Sequence, residues 1–369
     1  MQAVRALVVD DSAIFRMLVN NALAAMPGVN VVARCRDGKQ AIDAIRAEKP
    51  DLVTLDVEMP VMDGLQTLRE IRKLSATEST FSKVKVVLLS ALTKQGTDTT
   101  IQGLQEGAME CIPKPAEGDV DKNQEILKIH LQRAVDVVRI QLDSQAQATA
   151  ATAPTVPRPK TTSSFQAISS NTVSSPKGLK QKAQLICIGV STGGPAALSS
   201  MLPELSSKTH LPIMIVQHMP PGFTKSLAES LAKKCRHKVV EASEGDVISD
   251  DSIFIAPGGK HMIVVSEGGQ KKVSLNEAPL ENGCRPAVDV MFRSIAEAYG
   301  GKVCAVILTG MGSDGTLGAK PLRGHGATVI VQDKASSVVW GMPGSAYEAG
   351  VADEVVPLMQ IPDAVIKAL

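Results

Sequence analysis

Aromatic side chains are scarce: one Trp, two Tyr and six Phe in 369 residues. Any core must therefore be aliphatic, and recognition of nucleic acid by base stacking is disfavoured. Net charge is almost absent, since 39 Lys+Arg against 38 Asp+Glu leave +1. Without a basic footprint the chain is not expected to bind nucleic acid through phosphates. No apolar run approaches the ~18–20 residues that cross a bilayer. The opening MQAVRALVVDDSA places acids where a signal peptide carries its apolar stretch. A cytoplasmic protein that is not membrane-inserted is the expectation. The six cysteines, Cys35, Cys111, Cys187, Cys235, Cys284 and Cys304, form no C-x-x-C pair, which argues against a disulfide frame or a zinc site.

The chain has aliphatic bulk, with 44% hydrophobic residues over a length that exceeds one ordinary core. Two domains are expected. No acidic residue occurs between Asp143 and Glu204, and the stretch 144–183 is almost wholly Ala, Ser, Thr, Pro, Gln and Lys. Such a composition cannot offset its ordering entropy by burial, so it reads as a tether. At about 40 residues it would span roughly 35 Å as a coil. The expected division is 1–142, a flexible linker at 143–183, and 184–369.

Five apolar strand candidates precede the tether: ALVVD, VNVVARC, DLVTLD, VKVVLLS and MECIP. Six follow it: LICIGVS, LPIMIVQH, SIFIAP, KVCAVILTG, TVIVQD and DEVVP, interrupted by a hairpin-like HMIVVSEGGQKKVSLNEA. Alternation with helical patterns makes each half an α/β fold with a doubly wound parallel sheet. In such sheets ligands bind beyond the carboxyl ends of the strands.

In the first half those ends carry Asp10 and Asp11, Asp56, Ser90, and Lys114 before Pro115. Each acid alone would read as a turn cap. Together they would repel one another unless a cation such as Mg²⁺ lay between them. Asp56 is then a candidate nucleophile toward a phosphoryl donor, with Lys114 and the Ser90 hydroxyl as partners for the phosphoryl oxygens. VVDDS, DLVTLDVEMPVMDG, LLSALT and the Lys-Pro pair resemble a response-regulator receiver domain, a flavodoxin-like fold, over residues 1 to about 130. The resemblance implies Asp56 as phosphoacceptor, Asp10, Asp11 and Asp56 as Mg²⁺ ligands, and Ser90 with Lys114 as the switch pair. It departs at Cys111, where receivers often carry an aromatic residue.

In the second half, GVSTGG at 189–194 leaves a strand for a helix opened by Pro195 and fits G-x-S-x-G. Such a turn exposes the Ser191 hydroxyl near backbone N–H groups; the plainer reading is a helix N-cap. His218 follows a strand and precedes Met219, Pro220 and Pro221, whereas His210, His237, His261 and His325 are less well placed. Asp314 lies in LTGMGSDGTLG. There Gly310, Gly312 and Gly315 also spell a dinucleotide fingerprint, with Asp333 downstream. An aspartate inside that loop would repel a pyrophosphate, while the same helix N-terminus would hold the carboxylate well. Ser191, His218 and Asp314 thus supply a nucleophile, a base and an orienting acid. The α/β-hydrolase order would instead use Asp250 or Asp251 and then His261, which fall around the hairpin.

IGVSTGG, VQHMPPGFT, IAPGGKHM, RPAVDVMFRS and LTGMGSDG resemble the chemotaxis protein-glutamate methylesterase/protein-glutamine glutaminase family, over most of residues 184–366. That resemblance implies a Rossmann-like catalytic domain with a hairpin insertion and hydrolysis of glutamyl methyl esters on chemoreceptors, releasing methanol. It also implies deamidation of receptor glutamines, with no cofactor in the esterase site. Ser191, His218 and Asp314 would be the triad, with Thr192 and Met311 as neighbours whose backbone offers oxyanion donors. The implied partners are methyl-accepting chemoreceptors as substrate and a chemotaxis histidine kinase as phosphodonor. The tether suggests a receiver that docks over the triad rim and leaves it when charge is added at Asp56. The competing class, a regulator whose second half only binds, would need a basic helical module that this half lacks.

Overall fold

The computed structural model describes residues 3–91, 93–114, 120–151 and 182–369, with side chains around the helix following 120 described at 124 and 127–143. Pro115 and the linker from 152 to 181 lie outside the described residues.

The first sheet is parallel throughout, in the order β2-β1-β3-β4-β5. Its strands are β1 (Val4–Val9), β2 (Val29–Cys35), β3 (Leu52–Asp56), β4 (Lys85–Ser90) and β5 (Glu110–Pro113). Between them run α1 (Ala13–Ala24), α2 (Gly38–Glu48), α3 (Gly64–Ser75), α4 (Ser79–Lys83) and α5 (Lys94–Gln105), and α6 (Val120–Ala151) follows. β1, β3 and β4 are almost wholly buried because helices cover both faces of the sheet. Helix starts are written locally: Ser12, Asp37 and Thr93 each accept a backbone N–H with their side chains, and Asp63 makes a capping box with Gln66.

The second domain has a seven-stranded parallel sheet, β14-β13-β12-β6-β7-β9-β8, and a separate antiparallel hairpin, β10-β11. In chain order these elements are β6 (Leu185–Val190), α7 (Gly194–Lys208), β7 (Ile213–Gln217), α8 (Phe223–Ala232), β8 (Lys238–Glu241) and β9 (Ser252–Ile255). The hairpin β10 (His261–Glu267) and β11 (Gln270–Asn276) leads into α9 (Val288–Tyr299), β12 (Val303–Ile307) and α10 (Thr316–Gly324). The chain ends with β13 (Thr328–Gln332), α11 (Met342–Glu348), β14 (Glu354–Val356) and α12 (Ile361–Ala368). Ile186, Ile188 and Val190 pack with α7, α8 and α12 on one face, and Leu185 and Cys187 with α9 and α10 on the other.

Two features differ from the sequence expectation. β8 was not anticipated, because KVVE is short and lies at the sheet edge. Helix α6 runs on to Ala151, past the expected boundary at 142. Its tail, QAQATAA, holds no Gly or Pro and is rich in the strongest helix former, so low hydrophobicity alone does not end it.

The first and second domains touch along α5, β5 and α6. Ser226 Oγ donates to Thr97 Oγ1 at 3.2 Å, and Ser230 Oγ and Lys234 Nζ donate to Gln105 Oε1 at 3.0 and 3.1 Å. Gly193 N donates to Met109 O at 3.3 Å, and Gln141 Nε2 to Val338 O at 2.7 Å.

Candidate active site

β12, β6 and β7 lie side by side at the centre of the second sheet, where the strand order reverses. Asp314, Ser191 and His218 follow these three strands, so the sheet itself gathers them on one rim at its switch point. The backbone ties the loops together: Ser191 N donates to Thr309 O at 3.0 Å and His218 N to Val190 O at 3.1 Å. Gln217 Nε2 donates to Ser191 O at 3.0 Å. Gly310 is required for close approach, since a Cβ there would lie 2.7 Å from Ser191 Cβ. Gly193 adopts φ 79° to turn the chain into α7, with Pro195 in its first turn.

His218 Nε2 lies 2.8 Å from Asp314 Oδ2, with both side chains nearly buried. Asp314 also accepts from Val288 N at 2.6 Å, Asp289 N at 2.9 Å, Gly315 N at 3.0 Å and Asn282 Nδ2 at 2.9 Å. The expected helix N-terminus, that of α10, contributes through Gly315, but the larger share comes from the start of α9. Burial alone would raise the Asp314 pKa; the bonds from His218, Asp289 and Val288 overcome it and hold the carboxyl at about 2. For His218 burial opposes the charged form, yet Asp314 and the adjacent Cys284 thiol lift the imidazole to about 9. Ser191 and His218 are not hydrogen-bonded to each other in this docked arrangement, a looseness common before substrate binds.

Thr192 is buried, and its hydroxyl donates to Glu110 Oε2 of the first domain at 2.7 Å. Burial raises the Glu110 pKa, and the Thr192 bond opposes the rise. Met311 packs with Val338 against the cluster that contains α6 residues. The rival histidines have structural partners: His261 Nε2 is 3.0 Å from Pro279 O, His237 Nε2 is 3.1 Å from Leu211 O, and His210 pairs with Asp251. Asp333 caps a turn through Ser336.

In the first domain, ligand oxygens of Asp10, Asp11 and Asp56 lie within 4.8 Å of one another. Lys114 Nζ is 2.8 Å from both Asp10 and Asp56. Asp56 is pushed up to about 6 by burial and then by the Asp10 charge. Three hard oxygen donors with surplus negative charge fit a divalent cation. The Ser90 hydroxyl is turned toward Gly96 O, 3.1 Å away.

Asn282, Asp289, Cys284 and Glu110 were not singled out from sequence. Asn282-Gly283 reads as a turn signal, Asp289 as one residue of the RPAVDVMFRS run, and Glu110 as part of a strand.

An acid cluster under a lysine at the strand ends of one parallel sheet, in a domain whose Glu110 bonds Thr192 beside the rim of a second sheet, defines a response regulator with an α/β catalytic output domain. Family models agree: residues 6–129 match the response regulator receiver domain and residues 186–365 the CheB methylesterase. The chain is 41% identical over 369 residues to a protein-glutamate methylesterase/protein-glutamine glutaminase of Trichodesmium erythraeum, covering 99% of each. It is 41% identical to one from Desulfotalea psychrophila, covering 99% of this chain and 98% of that one. The crystal structure of the Thermotoga maritima CheB methylesterase catalytic domain aligns with TM-score 0.50 and 43% identity, covering 51% of this chain and all of that one. The chain belongs to the protein-glutamate methylesterase/protein-glutamine glutaminase family.

Proposed function

We propose that Ser191, His218 and Asp314 form the catalytic triad of this enzyme, a receiver-regulated protein-glutamate methylesterase and protein-glutamine glutaminase. The observation that carries the assignment is their meeting at three adjoining strand ends, with the imidazole bonded to a carboxylate at 2.8 Å. Ser191 Oγ attacks the γ-carbonyl carbon of a glutamyl methyl ester while His218 takes the hydroxyl proton. His218 returns that proton to the departing methoxide, giving methanol, or to the amide nitrogen of a glutamine, giving ammonia. Water then attacks the acyl-enzyme, His218 accepts its proton, and Ser191 leaves with that proton restored. Asp314 fixes the tautomer and stabilises the imidazolium. Backbone N–H groups near Thr192 and Met311 are the proposed oxyanion donors.

The substrate is a methylated chemoreceptor, and a chemotaxis histidine kinase supplies the phosphoryl group accepted by Asp56. Asp10, Asp11 and Asp56 would hold Mg²⁺, which when bound supplies charge neutralisation to phosphoryl oxygens. Lys114 and Ser90 then engage those oxygens. In the unphosphorylated chain the receiver covers the rim, its Glu110 occupying the Thr192 hydroxyl. Among the described residues no helix is long and apolar enough to cross a membrane, and the proposed functional division is a receiver at 1–142, a linker at 143–183 whose first residues continue α6, and a catalytic domain at 184–369.

Ser191→Ala should abolish methanol release from methylated receptor while leaving thermal unfolding unchanged. Wild-type release by that variant would refute the triad.

A further inference from the structure

A single exposed amide joins the two buried carboxyl groups behind the imidazole. Asn282 Nδ2 donates to Asp314 Oδ1 at 2.9 Å and to Asp289 Oδ2 at 3.0 Å. Asp289 and Asp314 are 1% and 2% exposed, so ionising both would place two unscreened negative charges side by side. Their donors differ. Asp314 receives the N–H groups of Val288, Asp289 and Gly315 besides His218. Asp289 has Gly318 N at Oδ1. The negative charge therefore belongs to Asp314, and burial together with that charge pushes Asp289 toward its neutral acid.

Local sequence explains how the amide reaches this place. Asn282 and Gly283 have φ of 53° and 71°, and Glu281 and Cys284 exchange both backbone hydrogen bonds across them. This is the two-residue turn that Asn-Gly favours. A turn needs only the backbone, however, and Gly would serve it as well. The side chain's two inward bonds go beyond the turn.

We propose that Asn282 is a positioning residue for the hydrolysis, its amide clamping Asp314 to Asp289 so that the carboxylate keeps its aim at His218 Nε2. The inference rests on the triad assignment. Groups facing His218 from the surrounding elements are Asp314, Cys284 on the same turn as Asn282, and Glu110 of the receiver.

The test uses the full chain and methylated receptor. Asn282→Gly keeps the left-handed turn and deletes only the amide. It should lower kcat roughly tenfold with KM within about twofold, the signature of lost orientation rather than lost binding. It should also move the His218 titration, followed by ¹⁵N imidazole NMR, to higher pH, because a carboxylate one donor poorer holds the imidazolium more tightly. A kcat within about twofold of wild type, or a His218 titration that stays or falls in Asn282→Gly, overturns the proposal. Should Asn282→Gly not fold, Asn282→Asp retains the turn and replaces the donor by a third acid; wild-type kcat there is equally fatal. Ser191→Ala measured alongside separates the two claims: activity in that variant removes the triad, whereas a silent Ser191→Ala with a wild-type-like Asn282→Gly removes only the role of Asn282.

Discussion

His218 faces two opposing demands: in the proposed mechanism its base form starts the reaction, yet Asp314 and Cys284 favour its acid form up to about pH 9. The neutral fraction therefore rises with pH and reaches one half at about that value, so methanol release by the unphosphorylated chain should climb between about pH 7 and 9. A flat profile over that interval would contradict the assignment of His218 as base. Asp314→Asn should cost up to ~10⁴-fold in kcat by presenting the wrong imidazole tautomer. Glu110→Ala removes the receiver's bond to Thr192; at about 1 kcal/mol for such a bond, basal activity should rise roughly fivefold. No rise would show that Glu110 merely fills space. Ser191 and His218 were legible in the sequence because each directly follows an apolar strand and Asp314 because it lies in the loop between β12 and α10, and the strand ends of a parallel sheet share a rim. Glu110, Asn282 and Asp289 were not, because nothing local distinguishes them from a strand residue, a turn former and a helix residue. Their importance is created by contacts with residues 82, 32 and 25 positions away.

At the scale of elements, the central strands of both sheets were readable as apolar runs because burial on two faces leaves no polar alternation to confuse them. The edge strand β8 and the length of α6 were not, one because it is short and half-exposed, the other because helix propensity persists where hydrophobicity fails. The close packing of α9 on α10 was equally hidden. It depends on Gly318, where a Cβ would sit 2.9 Å from Asp289 Cα. Gly318→Ala should force the two helices apart at a cost of about 1–3 kcal/mol, lowering the midpoint of thermal unfolding. It should also weaken the Gly318 N–H bond to Asp289, so kcat is expected to fall with it. An unchanged midpoint would mean that the contact yields freely.

For the whole molecule, the decisive arrangement is a receiver seated on the rim that it regulates. Deleting residues 1–140 should raise basal methanol release if the receiver restrains the site; unchanged or lower activity would mean that phosphorylation acts by improving the catalytic geometry instead. A small-molecule phosphodonor should activate the full chain and have no effect on Asp56→Asn.

The segment holding the receiver's helix α6 also carries the chain's single tryptophan. Val338 accepts the Gln141 bond, Val339 packs in the receiver's apolar cluster, and Trp340 comes next. The indole is anchored to Gln332 O at 3.1 Å, so under the proposed release of the receiver it would remain with the catalytic domain. Its emission thus offers an unlabelled optical readout of departure and return, recorded on the same sample and timescale as the chemistry.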